Sequence, residues 1–171
     1  MLFKIPVNAS MVINMAETYN IRKLKTSEIE EALNLVWKVF EEFEAPDYSD
    51  EGVQEFKNFI VPENYIDKIL KSELIMWGCF IDTKIVGIIT IRPPCHIALL
   101  FVDKTFHRKG IARSLFNTVL DHYKKTSEYT EMTVNSSPYA LEVYRRLGFV
   151  DTDTEQLKNG IRFVPMKYTW V

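Results

Sequence analysis

The sequence predicts an α+β domain, a mixed central β-sheet flanked by helices. Three observations lead there. Apolar residues recur at helical spacing in some segments and form strand-length runs in others. The two kinds follow one another in the order β-α-α-β-β-β-α-β-α-β-β, which suits a layered domain. The chain has 171 residues, 47% of them hydrophobic and 26% charged, enough to bury one core without disulfides or metal.

The domain is expected over residues 16–171, with residues 1–15 as an N-terminal extension. Strand-like alternation begins at Tyr19 to Lys25. Ser27-Glu28-Ile29-Glu30 reads as a capping box that opens a helix with Ile29, Leu33, Val36, Phe40 and Phe43 on one face, closed by Pro46. Ser49 caps a second helix, in which Val53, Phe56 and Ile60 share a face, and a further short helix can follow Pro62. Leu74 to Ile81 and Lys84 to Ile91 are β-rich runs separated by Asp82 and Thr83, a hairpin signature. Ile97 to Val102 is a third run after Pro93-Pro94.

Gly110 to Lys125 carries Ile111, Leu115, Val119 and Tyr123 at helical spacing and ends in two lysines that complement the helix dipole. A strand at Tyr129 to Val134, a helix from Pro138 to Arg146 stopped by Gly148, and strands at Phe149 to Asp151 and Ile161 to Tyr168 complete the order.

The 21 basic and 23 acidic side chains leave a formal net charge of -2. That balance gives no drive toward nucleic acid or an anionic membrane and points to a small partner. Met1 to Ala16 is interrupted by Lys4, Pro6, Asn8 and Asn14, unlike a signal peptide, and no run reaches the ~20 apolar residues of a membrane helix. A cytoplasmic location is expected. Cys79 and Cys95 lie in strand-like runs without metal spacing and read as reduced core thiols, with a mutual disulfide left open. No metal is expected.

Two segments carry chemistry. Leu99 to Val102, then Asp103 to Phe106, then His107-Arg108-Lys109-Gly110-Ile111-Ala112 deliver a glycine-containing loop from a strand to a helix N-terminus. Unpaired N–H groups there can hold a pyrophosphate, with Arg108, Lys109 and Arg113 adding positive charge; a basic turn capped by glycine is the simpler alternative. The second segment is Asn135-Ser136-Ser137-Pro138-Tyr139-Ala140-Leu141-Glu142-Val143-Tyr144-Arg145-Arg146-Leu147-Gly148-Phe149.

That segment resembles the asparagine, alanine, tyrosine and Leu-Gly-Phe pattern of the GNAT acetyltransferase superfamily. Val102 to Ala112 is similar to the family's [Q/R]xxGx[G/A] pyrophosphate loop, with His107 where Gln or Arg is usual. The likeness extends over nearly the whole domain. It implies an N-acetyltransferase that moves an acetyl group from acetyl-CoA to a primary amine by direct attack, with no covalent enzyme intermediate.

The same resemblance implies a site. Leu100, Phe101, Val102, His107, Arg108, Lys109, Gly110, Ile111, Ala112, Arg113, Asn135 and Tyr144 would bind acetyl-CoA, and a backbone N–H near Leu100 would face the thioester oxygen. Tyr144 would be the general acid, against a plain core role. His96 is the candidate base. The histone-acetylating branch carries a glutamate at that place, strict alternation puts His96 on the face of Ala98, Leu100 and Val102, and an ordinary imidazole titrates near ~6.5. A hydrogen-bonded histidine at a strand end remains the alternative.

Glu41, Glu42, Glu44, Asp47, Asp50 and Glu51 crowd the connection between the first two helices, where Phe43 and Tyr48 would wall the acceptor. Such acids favour a cationic amine or form a solvated helix end. Homodimers occur in the superfamily. The rival readings are a non-catalytic acyl-CoA-binding sensor or docking module, and a Rossmann dinucleotide enzyme, from which the absent GxGxxG departs.

Overall fold

In a computed structural model, residues 18–126 and 128–171 are described; the expected extension over residues 1–15 lies outside them. The elements are β1 (Tyr19–Lys23), α1 (Ile29–Phe43), α2 (Asp50–Phe59), α3 (Pro62–Leu70), β2 (Ile75–Ile81), β3 (Lys84–Arg92), β4 (His96–Val102), α4 (Ile111–Thr126), β5 (Glu131–Ser136), α5 (Leu141–Leu147), β6 (Val150–Asp151), β7 (Gln156–Lys158) and β8 (Ile161–Thr169). The α+β fold with a mixed central sheet flanked by helices is as the sequence predicts.

Strands run in the order β1-β2-β3-β4-β5-β8-β6, with β7 on β8. Every pairing is antiparallel except β4 with β5. Helices cover both faces, which is why β3 reads as an unbroken apolar run: Ile85 through Ile91 are all buried. One core cluster joins Ile89, Ile91 and Ile97 to Ile111, Leu115 and Val119 of α4 and Tyr144 of α5. The other joins Ile88, Leu99 and Phe101 to Leu33, Val36 and Phe40 of α1, Phe56 of α2 and Tyr65 of α3.

Several elements depart from expectation. The turn before α1 is closed by Glu28, not Ser27: its carboxylate accepts from the Lys25 N–H at 2.7 Å while Arg22 of β1 grips both its oxygens at 2.7 and 2.8 Å. Helix α1 stops at Phe43, and Pro46 sits in the 3-10 turn that follows. The segment after Pro62 is a full helix, so three helices stand between β1 and β2. Strand β7 is additional. It forms a hairpin with β8 across Asn159 (φ 51°) and Gly160 (φ 75°), the left-handed pair that a two-residue turn requires.

Ser49 does cap α2, accepting from the Gly52 N–H. The tip of the β7–β8 hairpin lies against that helix start, so closely that a Cβ on Gly52 would overlap the Gly160 carbonyl. Cys79 and Cys95 are separate, buried thiols, each pushed up to about 11 by desolvation. Among the described residues no helix is long and apolar enough to cross a membrane, and no acidic, histidine or cysteine cluster is arranged for a metal.

Candidate active site

The parallel strands part early. β4 and β5 pair only at His96 with Thr133 and at Ile97 with Val134, although β4 runs on to Val102 and β5 to Ser136. A wedge-shaped cleft opens between them. Where it opens, β4 carries one residue more than β3 opposite: Leu99 faces Thr90 and Ile97 faces Ile91, leaving Ala98 as a bulge.

Backbone direction in the cleft follows from the ladder. The Asp103 N–H donates to the Val86 carbonyl at 2.9 Å, so residues 99, 101 and 103 turn their peptide groups toward β3. Leu100 and Val102 therefore turn theirs into the cleft. On the other wall the Thr133 N–H donates to the Cys95 carbonyl at 3.0 Å, while the carbonyl of Pro165, opposite Asn135, accepts from the Thr152 N–H. Asn135 thus also presents its backbone to the cleft. Among the described residues no strand meets these donors and acceptors, so both walls can pair with an extended amide-bearing ligand.

Beyond Val102 the chain turns through 107–112 into α4. Arg108 (φ 61°) and Gly110 (φ 82°) are both left-handed, which curls successive N–H groups toward one side, as anion-binding concavities require. A Cβ at Gly110 would meet nothing within 4 Å. The loop is open at the point where phosphates would approach, beside the unpaired first N–H groups of α4. A pyrophosphate fits this cradle, and an extended arm fits the cleft above it.

Four side chains expected at the cofactor are engaged within the fold. The His107 ring turns inward, its Nε2 donating to the Val102 carbonyl at 2.8 Å, and packs at a tilt against Phe43. Arg113 donates to the Arg146 carbonyl at 2.9 Å and so ties α4 to the end of α5. Phe101 packs under α1 and α2 and also borders the cavity at the end of the cleft, and the side chain of Ile111 is in the α4 core; only the backbone of Ile111 faces the loop.

Past the bulge, a cavity of about 180 Å³ lies between β4, β5, α5 and the α1–α2 connection. Leu100, Asn135, Ser137, Tyr144, Tyr48 and Glu44 line it, with Phe56, Phe59 and Ile161 as apolar walls. A groove of about 540 Å³ between α3 and the β3–β4 turn shares Phe59 and Ala98 with it. Tyr144 is 5% exposed and stands edge-on to Phe149. Burial, and next the nearby Glu44 charge, hold its phenol well above the ordinary range, so it stays protonated. Tyr48 lines the cavity. Phe43 does not, and packs between His107 and Tyr139.

His96 is not placed as a base. The bulge breaks the alternation: Leu100 and Val102 pack with α4, whereas Ala98 packs on the α1–α3 side. His96, one residue before the α4-facing Ile97, is therefore off the Leu100 and Val102 face. It lines neither opening, and its Nδ1 pairs with the Thr133 hydroxyl at 2.8 Å. Desolvation, aided by Arg92, pushes it down to about 4. Its conjugate acid is too strong for it to draw a proton from an ammonium group.

The group that sequence reasoning failed to single out is Glu44. Of the six acids around the α1–α2 connection it alone lines the cavity, and the other five are exposed. Enclosure of its carboxyl raises it to about 7, Ser137 beside it acting in the opposite sense and Asp47 adding to the rise. The only hint in the sequence is an acid following the last turn of a helix, where the dipole disfavours negative charge.

The acetyltransferase (GNAT) domain, as a family model, matches residues 44–170 of the chain. The chain belongs to the GNAT acetyltransferase family. As an acetyltransferase it is 27% identical, over 92% of its length and 71% of the relative's, to an uncharacterised N-acetyltransferase of Methanocaldococcus jannaschii. Two solved structures share the fold of this GNAT enzyme. The PaiA N-acetyltransferase of Thermoplasma acidophilum, in complex with coenzyme A, superposes with a TM-score of 0.77 at 18% identity, covering 90% of this chain and 99% of its own. A GNAT-family structure from Rhodopseudomonas palustris gives 0.76 at 18% identity, covering 89% and 96%.

Proposed function

We propose that this GNAT enzyme transfers an acetyl group from acetyl-CoA to a primary amine by direct attack, in the cavity between Leu100 and Tyr144. The observation that carries this reading is the continuity of three features: the open cradle at Gly110, the unpaired walls of the β4–β5 cleft, and a cavity at its far end with a protonated phenol in its lining. The coenzyme A in the Thermoplasma relative's structure supports the same ligand here. When bound, acetyl-CoA supplies the activated acetyl thioester.

The chain's own residues do the rest. Backbone N–H groups around Arg108, Gly110, Ile111 and Ala112 hold the pyrophosphate, with Arg108 and Lys109 contributing charge. Leu100, Val102 and Asn135 bond the amides of the arm through their backbones. The Leu100 N–H, released from the ladder, faces the acetyl oxygen and stabilises the charge that develops there. The Tyr144 hydroxyl gives its proton to the departing sulfur. Neither Cys79 nor Cys95 takes part as a nucleophile, since both thiols are buried and protonated.

The cavity is about 180 Å³, room for about six water-sized groups at roughly 30 Å³ each. An acetyl group and an aminomethyl end fill most of it, and the rest of an acceptor extends toward the groove at Phe59 and Ala98. Tyr144→Phe tests the acid role, because it keeps the ring and its contact with Phe149. It should lower kcat by roughly 10²-fold or more while coenzyme A affinity persists. A parental kcat in the folded variant would assign sulfur protonation to another group.

A further inference from the structure

We propose that Glu44 is the general base of the transfer, and that it selects acceptors arriving as alkylammonium ions by binding the cation and taking its first proton. The proposal rests on the acetyl-transfer reading and adds the proton acceptor and the substrate class.

Glu44 follows the last turn of α1, its N–H bonded to the Phe40 carbonyl. From there its side chain enters the same cavity as Leu100 and Tyr144. The proximity is also electrostatic: burial raises the phenols of Tyr144, Tyr48 and Tyr139, and the Glu44 charge adds to the rise in each. A base and an acid thus face each other across the space where the amine must attack.

Folding alone gives no reason to keep an acid there. The helix C-terminus already carries partial negative charge, no basic residue occupies the last turn of α1, and the carboxyl is enclosed. The groups facing it are Asp47, whose charge disfavours ionisation, Ser137, which favours it, and the three phenols. Arg162 reaches Tyr48 and Asp47, and Arg108 reaches Tyr139. Among the described residues no cation influences Glu44 itself. An incoming ammonium supplies the missing counter-charge. A carboxyl titrating near neutrality can then both hold that ammonium and accept its proton.

The ammonium gives one proton to the Glu44 carboxylate, and the freed nitrogen lone pair forms the C–N bond as the acetyl carbonyl electrons move to oxygen. When those electrons return, the C–S bond breaks and the sulfur takes the Tyr144 proton. The second nitrogen proton restores the phenol, and the Glu44 carboxyl releases its proton to solvent. The products are the acetamide, the free thiol and one proton.

The test compares propylamine, an ammonium at neutral pH, with aniline, already a free amine there, using Glu44→Gln and thiol release as readout. The proposal expects kcat/KM for propylamine to fall by about 10²-fold or more at pH 7, to lose its acidic limb, and to recover partly as pH rises and solvent supplies free amine. Aniline turnover should change far less. Equal losses for both amines, or no loss for either, overturn the base role. Glu44→Asp, which keeps a carboxylate, should retain more propylamine activity than Glu44→Gln; the reverse order also overturns it. A retained coenzyme A thermal shift verifies folding. No thiol release by the parent enzyme with either amine overturns the transfer reading together with this one.

Discussion

Glu44→Gln should make the protein more stable at pH 8 and leave it unchanged near pH 4. The Glu44 carboxyl is raised from 4.5 to about 7 in the folded state, so the fold prefers it neutral. Below its unfolded value it is protonated in both states and costs nothing. Between the two values the unfolded chain ionises freely while the folded one resists, and stability declines until the pH passes about 7. At about 1.36 kcal/mol per pH unit that rise is worth up to ~3 kcal/mol. The part of the residue that stays open to solvent lowers that to about 1–3 kcal/mol. Glutamine keeps the shape and removes the ionisation, and it also relieves the repulsion from Asp47. Urea unfolding of parent and variant at pH 4 and pH 8, with common m-values, measures the difference. Equal stability at both pH values, or a less stable variant at pH 8, would refute the argument that this carboxylate is held against a folding cost.

Two further substitutions separate the halves of the site. Gly110→Asp should abolish the thermal shift produced by coenzyme A, because a side chain and a negative charge would occupy the open space of the cradle; the left-handed φ adds about 1–2 kcal/mol of backbone strain. Retained affinity would put the phosphates elsewhere. Gly52→Ala should force the β7–β8 hairpin off α2, at a cost of about 1–3 kcal/mol, and carry Ile161 away from the cavity wall. Titration should then show a raised KM for the amine with the coenzyme A Kd unchanged, and an unchanged KM would detach the hairpin from acceptor binding.

The fold was legible because its signals are local. Apolar periodicity and caps such as Ser49 and Gly148 place most elements within a few residues. Strand β7 was missed although Asn159-Gly160 announces a hairpin, because Gln156–Lys158 is exposed throughout and carries no apolar pattern. The loop at Gly110 could be read from sequence since a glycine turn between a strand and a helix start is itself a local feature. His96 could not: strict alternation aligned it with Leu100 and Val102, and the bulge at Ala98, a property of how β3 and β4 pair, shifted that phase. Desolvation, which weakens His96 and raises Glu44, exists only after packing. The enclosed carboxyl was therefore hidden among six acids until the helices were in place.

The most direct test of direct acetyl transfer in this cavity is a mass-spectrometric and thiol assay of the parent enzyme with acetyl-CoA, run with and without propylamine. The structure predicts free thiol and N-acetylpropylamine in equal amounts when the amine is present. Without it, the thioester should stay intact and the protein mass unchanged. Bound cofactor with an intact thioester in both arms, or an acetylated protein without amine, would contradict that account.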